Sequence, residues 1–293
     1  MWGYIPYVTT QPADVDIDMK WEFRGAIAML VTTLATAVII FTGAILYPGL
    51  FSLDDGRVRY ISDGFEDHRS LPGFCVFLLV IQVCIFYWFA RQAFNCIPSK
   101  QPPFYLSIVG LAGFASVVGM FMVAVVTRGV VHLTGAAVFI VFYLGMHYAF
   151  DNVLLGSKLV TVGQVRTDEF FIIVGGVFFF LFGGLLIARM AVGSDSSSST
   201  ALGSMSAIAE YMVFLVFLVL NLFGMHLMTY VCVEYEVVPW ADETGRFQWM
   251  RKEVIPNAIP TPKNGNMPFT AITTTTATGK FTLRIPDTWH RSS

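Results

Sequence analysis

Long apolar runs alternate with short polar connections along most of this chain. At about 20 residues or more, each run has the length that a helix needs to cross roughly 30 Å of hydrocarbon. The six runs cover residues 27–47, 75–97, 104–126, 131–150, 170–191 and 207–232. The pattern predicts an all-α fold, namely a polytopic membrane protein whose six transmembrane helices form one bundle.

The composition agrees with burial in lipid. Hydrophobic residues make up 55% of the 293 residues and charged residues only 13%, which is about half the charged fraction of an ordinary soluble domain. The net charge of −2 gives no sign of nucleic-acid binding. The four cysteines show no CxxC spacing, which argues against a disulfide framework or a zinc site.

The basic residues predict how the bundle is oriented. Cytosolic loops of membrane proteins carry an excess of lysine and arginine, and most of the 18 basic residues fall on one side if the N-terminus is cytosolic. This orientation places both termini in the cytosol. It divides the chain into an N-terminal arm (1–24), a membrane domain (25–235) and a cytosolic tail (236–293). The tail is rich in proline and threonine with little periodicity, so we expect it to be largely disordered.

Few strongly polar side chains fall inside the apolar runs. An ionisable side chain costs about 2.5–3.5 kcal/mol at the centre of a membrane helix and therefore usually faces the bundle interior. The candidates in the fourth run, at its mouth and in the sixth run are His132, His147, Asp151, Glu210, Asn221 and His226. We expect these side chains to meet inside the bundle.

Their spacing predicts two polar layers. The 15 residues from His132 to His147 span about 22 Å of helix. The 16 residues from Glu210 to His226 span about 24 Å. Because the fourth and sixth helices run in the same direction, His132 and Glu210 would form an outer layer. His147 and His226 would form an inner layer, completed by Asp151 and Asn221.

Four functions of these layers stay open. The polar pairs fix helix packing, line a proton or ion path, hold a metal ion for hydrolysis, or bind a lipid headgroup. The packing role is favoured, since a satisfied buried network specifies one arrangement of helices. The chain has no GxSxG, HExxH, Walker or helix-opening GxGxxG motif. No catalytic, cofactor-binding or metal-ligating residue is therefore predicted.

Paired glycines in the fifth run predict a close helix contact. Gly175-Gly176 and Gly183-Gly184 lie about two turns apart and so share one face of a helix. Small residues on one face let two membrane helices approach closely. We expect this face to pack against a neighbouring helix.

Three short motifs occur in order along the membrane domain. The first is YISDG at Tyr60–Gly64, followed by Pro72 and the FCVF entry to the second run at Phe74–Phe77. The second is HLTGA at His132–Ala136, and the third is AIAEY at Ala207–Tyr211. Together they resemble the Ile-Ser-Asp, His-x-x-Gly-Ala and Ala-x-x-Glu-Trp/Tyr motifs of the DRAM-type six-span membrane proteins (damage-regulated autophagy modulators).

The resemblance implies which residues act together at the outer face. The motif residues are Ser62, Asp63, His132, Gly135 and Glu210. We expect Asp63 or Ser62 to fold onto the layer formed by the histidine and the glutamate. Arg69 or Arg128 is expected to neutralise this network, since an unpaired buried acid is costly.

The resemblance also implies a class of function. DRAM-type proteins are multi-span regulators of autophagy, and related proteins act in GPI-anchor lipid remodelling or support phosphoinositide signalling at the plasma membrane. We therefore expect a non-enzymatic regulator in a lysosomal, endosomal or plasma membrane. A lipid-modifying enzyme is the first alternative, and a transporter or channel is the second. The expected partners are membrane lipids and a cytosolic protein that binds the tail, with no cofactor and no nucleic acid.

Overall fold

The six predicted crossings are present as long helices. The computed structural model describes residues 12–46, 57–67, 70–95, 104–126, 129–192, 197–239, 247–251, 269–276 and 279–286. Within these ranges, six helices are long and apolar enough to span a membrane. The prediction of an all-α, six-span membrane bundle is confirmed.

The helices are numbered in chain order. They are α1 (Pro12–Ile40, extended by a π-helical turn at Phe41–Leu46), α2 (Ile61–Asp67), α3 (Ser70–Asn95), α4 (Phe104–Val125), α5 (Gly129–Gly156), α6 (Val162–Val192) and α7 (Ser197–Glu234). All except the short helix α2 are candidate membrane spans. We call the end of the bundle that carries α2 the Ser62 end, and the opposite end the Asp151 end.

Helix α1 begins well before its apolar run. Pro12 is its first residue, a position where the fixed φ of proline and its missing N–H are tolerated. The arm predicted over 1–24 is therefore helical from residue 12 onward, and residues 1–11 lie outside the described part. The portion from Arg24 to Gly43 is the part apolar enough to cross the membrane.

Helices α4 and α5 form a tight hairpin whose backbones touch. Gly129 opens α5 with a φ of +85°, a conformation that favours glycine. A Cβ atom on Gly119 would lie 2.4 Å from the backbone nitrogen of Phe139. A Cβ atom on Gly135 would lie 2.7 Å from the Cβ atom of Met122. Gly135, assigned to the outer network from the sequence, is thus a packing residue that faces α4.

Helix α6 lies at the periphery of the bundle. Only 6% of its apolar window is buried, against 28% to 44% for the other five spans. It makes a close contact at Gly175, where an added Cβ atom would lie 3.0 Å from a methyl group of Val216. Added Cβ atoms on Gly176, Gly183 and Gly184 would meet no atom of the described chain within 4 Å. The predicted glycine contact is therefore wrong beyond Gly175, because the rest of this stripe faces away from the neighbouring helices.

The turn between α5 and α6 fixes where α6 begins. The Oε1 atom of Gln164 accepts hydrogen bonds from the backbone nitrogen of Thr161 at 2.8 Å and from its hydroxyl at 3.0 Å. The backbone nitrogen of Gln164 donates to the Thr161 carbonyl at 3.0 Å. The Gln164 side chain thus supplies one half of a capping box, in which it satisfies the backbone N–H of the residue before the helix. It sets the first turn of α6 and, with it, the depth of the buried Asp168.

Four β-strands follow the last helix. Strand β1 (Tyr235–Pro239) pairs antiparallel with β2 (Phe247–Arg251), and β3 (Phe269–Thr276) pairs antiparallel with β4 (Gly279–Pro286). The sequence predicts a largely disordered tail over 236–293. The structure describes these two hairpins there, and the other tail residues lie outside the described part.

Candidate functional site

A cavity lies inside the bundle at the Ser62 end. Its volume is about 130 Å³, and every span except α6 contributes to its wall together with helix α2. Most of the wall is apolar, with side chains such as Ile40, Leu79 and Phe217. The polar residues of the wall include Ser62, Gln82, His132, Tyr143, Glu210 and Asn221. We call this space the central cavity.

A second cavity, here called the side cavity, lies beside the first. It has a volume of about 230 Å³ and is bounded largely by α5, α6 and α7. The two cavities share the wall residues Ser62, His132, Ala136, Ile140, Glu210 and Val213. Leu133 and Met190 line the side cavity and are also exposed on the surface of the bundle. The side cavity therefore leads from the apolar surface between α5 and α6 toward the central cavity.

Helix α2 covers the cavities because Glu210 holds its first turn. The Oε2 atom of Glu210 accepts a hydrogen bond from the backbone nitrogen of Ile61 at 2.8 Å. The backbone N–H of Ser62 also donates to this carboxylate. The first N–H groups of a helix have no partner within it, and a carboxylate there satisfies them and interacts favourably with the helix dipole. Glu210 of α7 thus fixes the helix that carries Ser62.

Asp63 holds the segment that leads into α2. Its Oδ2 atom accepts hydrogen bonds from the backbone nitrogen of Tyr60 and from Nη1 of Arg57, each at 3.1 Å. The Arg57 guanidinium also lies 5.3 Å from the centre of the Tyr60 ring. Arg57 therefore neutralises Asp63, a role that the sequence assigned to Arg69 or Arg128. Both of those arginines lie outside the described residues.

His132 lines both cavities with a fixed ring. Its Nδ1 atom lies 2.8 Å from the carbonyl oxygen of Val126. A carbonyl oxygen only accepts, so Nδ1 carries the proton of this bond, and Nε2 is the acceptor of the neutral ring. Among the described residues, no hydrogen bond joins His132 to Glu210. The predicted outer pair therefore meets across a shared cavity and not by direct contact.

A buried polar chain crosses the bundle at the far wall of the central cavity. The hydroxyl of Tyr143 donates a short hydrogen bond to Oδ1 of Asn221, and Nδ2 of Asn221 donates to Oε1 of Gln82 at 3.4 Å. Nε2 of Gln82 has no hydrogen-bond partner in the described part of the chain. Asn221 thus belongs to the central cavity and not to the inner layer predicted from the sequence, because its side of α7 faces Tyr143 and Gln82.

Removing the Tyr143 hydroxyl should destabilise the bundle measurably. The substitution Tyr143→Phe leaves the Asn221 oxygen without its donor in a buried site, which costs about 1–2 kcal/mol of unfolding free energy. Tyr148→Phe is the matched control, since Tyr148 lies on the same helix and is 47% exposed. Thermal unfolding in detergent checks both variants. Equal melting temperatures for the two variants would contradict the assigned hydrogen bond.

His147 is fully buried, but it does not meet His226. Its ring packs against Phe86, with ring centres 4.7 Å apart, and against Tyr143 at 5.0 Å. It faces α7 at Gly224, where an added Cβ atom would lie 3.7 Å from the histidine ring. His226 is two residues further along, about 200° around the helix, and it is exposed. The prediction that these two histidines meet in one layer is wrong. They lie at a similar depth, but their side chains are on sides of the two helices that do not face each other.

His147 meets two buried acids instead. Its Nδ1 atom lies 3.8 Å from Oδ2 of Asp168 on α6. Asp151, one turn after His147 on α5, has its carboxyl group beside that of Asp168. All three residues are 0% exposed. We call His147, Asp151 and Asp168 the buried acid cluster.

Asp168 is the functional candidate that sequence reasoning missed. It precedes the fifth apolar run, so it was not counted among the polar residues of the membrane. The buried residues of α6 are Val165, Asp168 and Gly175. Their spacings of 3 and 7 residues place them on one helical face. This periodicity, extended past the apolar run, is the signal that predicts an inward-facing Asp168.

Neither a metal-binding group nor a similar protein indicates what the cavities bind. Among the described residues, no group of three or more histidine, cysteine, aspartate or glutamate side chains is arranged to hold a metal ion. No known protein family, curated protein or solved structure matches the chain. The resemblance to DRAM-type proteins therefore stays a prediction, and the cavities must be interpreted from their own chemistry. Mostly apolar cavities with a few polar groups are typical sites for small ligands.

Proposed function

We propose that this chain is a non-enzymatic, multi-pass membrane regulator that binds one amphipathic lipid inside its bundle. The observation that carries the proposal is the central cavity, whose apolar wall has polar side chains at both ends. Ser62, His132 and Glu210 lie at the end covered by α2, and Gln82 and Asn221 lie at the far end. This pattern fits a ligand with an apolar body and a polar group.

The dimensions of the cavity support a ligand that lies along the helices. Glu210 and Asn221 both line it, and their separation of 11 positions corresponds to about 16 Å of helix. The unpartnered Nε2 of Gln82 offers a hydrogen-bond donor to an oxygen of the ligand. The side cavity supports entry from the bilayer between α5 and α6, without passage through water.

The cellular setting of this proposal comes from the sequence motifs. The resemblance to DRAM-type proteins supports a lysosomal, endosomal or plasma membrane and a role in autophagy or phosphoinositide-linked signalling. In this proposal both termini are cytosolic, and a cytosolic protein binds the tail. Occupancy of the cavity would then be communicated to that partner through the bundle.

One observation favours a second candidate, a lipid-modifying enzyme. Nδ1 of His132 is engaged by a backbone carbonyl, which leaves Nε2 as a base on the wall that the two cavities share. Glu210, however, holds the first turn of α2 and does not orient this histidine. Incubation with labelled phospholipids distinguishes the two functions. The regulator returns the lipid unchanged, whereas the enzyme yields a product that the substitution His132→Gln abolishes.

Filling the cavity should displace its lipid. Ala136 lines both cavities, so the phenyl ring of Ala136→Phe occupies the space that the ligand needs. Val141→Phe is the matched control, because Val141 lies on the same helix and is 52% exposed. Mass spectrometry of lipids extracted from each purified variant measures the bound amount. We expect roughly tenfold less lipid in Ala136→Phe, equal to about 1.4 kcal/mol of binding free energy, and no loss in Val141→Phe.

The unfolding temperature of each variant is measured before extraction. A folded Ala136→Phe protein that retains as much lipid as Val141→Phe would contradict the proposal. Loss of lipid from both variants would assign the lipid to the outer surface of the bundle, and this result would contradict it as well.

A further inference from the structure

The buried acid cluster consists of three ionisable side chains from two adjacent helices. His147 and Asp151 come from α5, and Asp168 comes from α6. None of the three lines either cavity, so the cluster is separate from the proposed lipid site. All three side chains are 0% exposed, and Nδ1 of His147 lies 3.8 Å from Oδ2 of Asp168.

The polar atoms of the cluster lack hydrogen-bond donors. In the described part of the chain, both ring nitrogens of His147 and all four carboxylate oxygens of Asp151 and Asp168 have no hydrogen-bond partner. Buried polar groups in folded proteins are nearly always paired, and each exception needs an explanation. Two adjacent ionised carboxylates in an apolar interior repel each other and lose their hydration.

The groups around these carboxylates exclude several ways of neutralising them. In the described part of the chain, the charged neighbours that act on the Asp151 carboxyl are Asp168 and Glu169, which are also acids. The cluster does not have three ligands arranged for a metal ion. Tyr143 lies against the His147 ring, but its hydroxyl is already donated to Asn221. A proton is small enough to be shared by two neighbouring carboxyl groups.

We infer that His147, Asp151 and Asp168 form a buried proton-binding site that holds α6 against α5. One proton bridges the two carboxyl groups, and Nδ1 of the His147 ring faces the Asp168 oxygen. Release of the bridging proton to water leaves two adjacent negative charges at the contact of the helices. Because α6 has little other buried surface, this release weakens the attachment of α6 to the bundle.

The pH dependence of unfolding in lipid nanodiscs tests the site. The folded protein holds a proton that the unfolded chain releases at neutral pH, so stability falls as pH rises. We expect the wild-type melting temperature to drop by roughly 5 °C between about pH 6 and pH 9. Asp151→Asn and Asp168→Asn each replace a carboxyl group by a neutral amide of similar shape. Either variant should flatten the profile.

Glu169→Gln is the matched control for this experiment. Glu169 is adjacent in sequence, only half-buried and the weakest of the acidic influences on Asp151, so its substitution should keep most of the wild-type slope. A flat wild-type profile, or equal slopes in all four proteins, would overturn the inference. A rise in melting temperature with sodium or divalent cations at constant ionic strength, lost in Asp168→Asn, would assign the site to a metal ion instead and would overturn it too.

Infrared spectroscopy provides a second measurement that does not depend on the aspartate variants folding. A protonated carboxyl group absorbs separately from a carboxylate, and the wild-type protein should show this band at neutral pH and lose it in alkaline buffer. The band should persist in Glu210→Gln, which removes the carboxyl group that holds α2. Absence of the band in wild type, or its loss in Glu210→Gln, would contradict a shared proton in the cluster.

Discussion

The substitution Gly119→Ala should destabilise the protein more than any surface change. Its new methyl group would lie 2.4 Å from the backbone nitrogen of Phe139 and 2.7 Å from the carbonyl oxygen of Gly135. Backbone atoms cannot rotate away as a flexible side chain can, so α4 and α5 must separate. Overpacking of this kind costs about 1–3 kcal/mol or more. Thermal unfolding of the purified protein and the yield of monodisperse protein measure the effect.

Gly145→Ala is the control for this prediction. Gly145 lies on α5 as well, but an added Cβ atom there would meet nothing within 4 Å in the described chain. Alanine also favours the helix by about 0.5–1 kcal/mol over glycine, so the control should be neutral or slightly more stable. A Gly119→Ala protein as stable as the control would show that α4 and α5 do not approach at these glycines.

The substitution Glu210→Ala should release helix α2 from the bundle. It removes the acceptor of the Ile61 N–H bond and leaves buried donors at the start of the helix without a partner. A hydrogen bond to a charged group contributes about 1.5–3 kcal/mol, and we expect a loss in this range. Trypsin measures the local effect, because Arg57 and Arg59 directly precede α2 and cleavage should become faster when the helix detaches.

Glu210→Gln separates the capping role from the charge. The glutamine oxygen still accepts from the backbone, so most of the stability should return and cleavage should slow toward the wild-type rate. If Glu210→Ala matched wild type in both melting temperature and cleavage, the structural role of this glutamate would be excluded. A selective loss of function at normal stability would then favour an active role.

The number and position of the spans could be predicted because lipid imposes a length. Each crossing needs about 20 apolar residues, and that requirement is visible without knowing which helices touch. The same reasoning does not specify helix neighbours. The glycines at 183 and 184 have the spacing of a packing stripe, yet an added Cβ atom there would meet no neighbour among the described residues.

The sequence predicted how deep the polar residues of the candidate site lie in the membrane, but not the direction in which their side chains point. Residues near the start of the fourth and sixth apolar runs share one end of the bundle, so His132 and Glu210 line the same cavity. His226 matches the depth of His147 but points outward, since two residues along a helix turn a side chain by about 200°. Arg57, which neutralises Asp63, was missed because loop geometry determines which of several nearby arginines reaches an acid.

The most direct test of lipid binding in the central cavity is a cryo-electron microscopy map of the full chain in nanodiscs of cellular lipid. We predict an elongated, non-protein density between α2 and the Asn221 side chain, with a polar group within hydrogen-bond distance of Gln82. The same map of Ala136→Phe should show the phenyl ring in this position. A wild-type map in which side chains from the six helices fill the central cavity, with no additional density, would contradict a lipid-binding bundle.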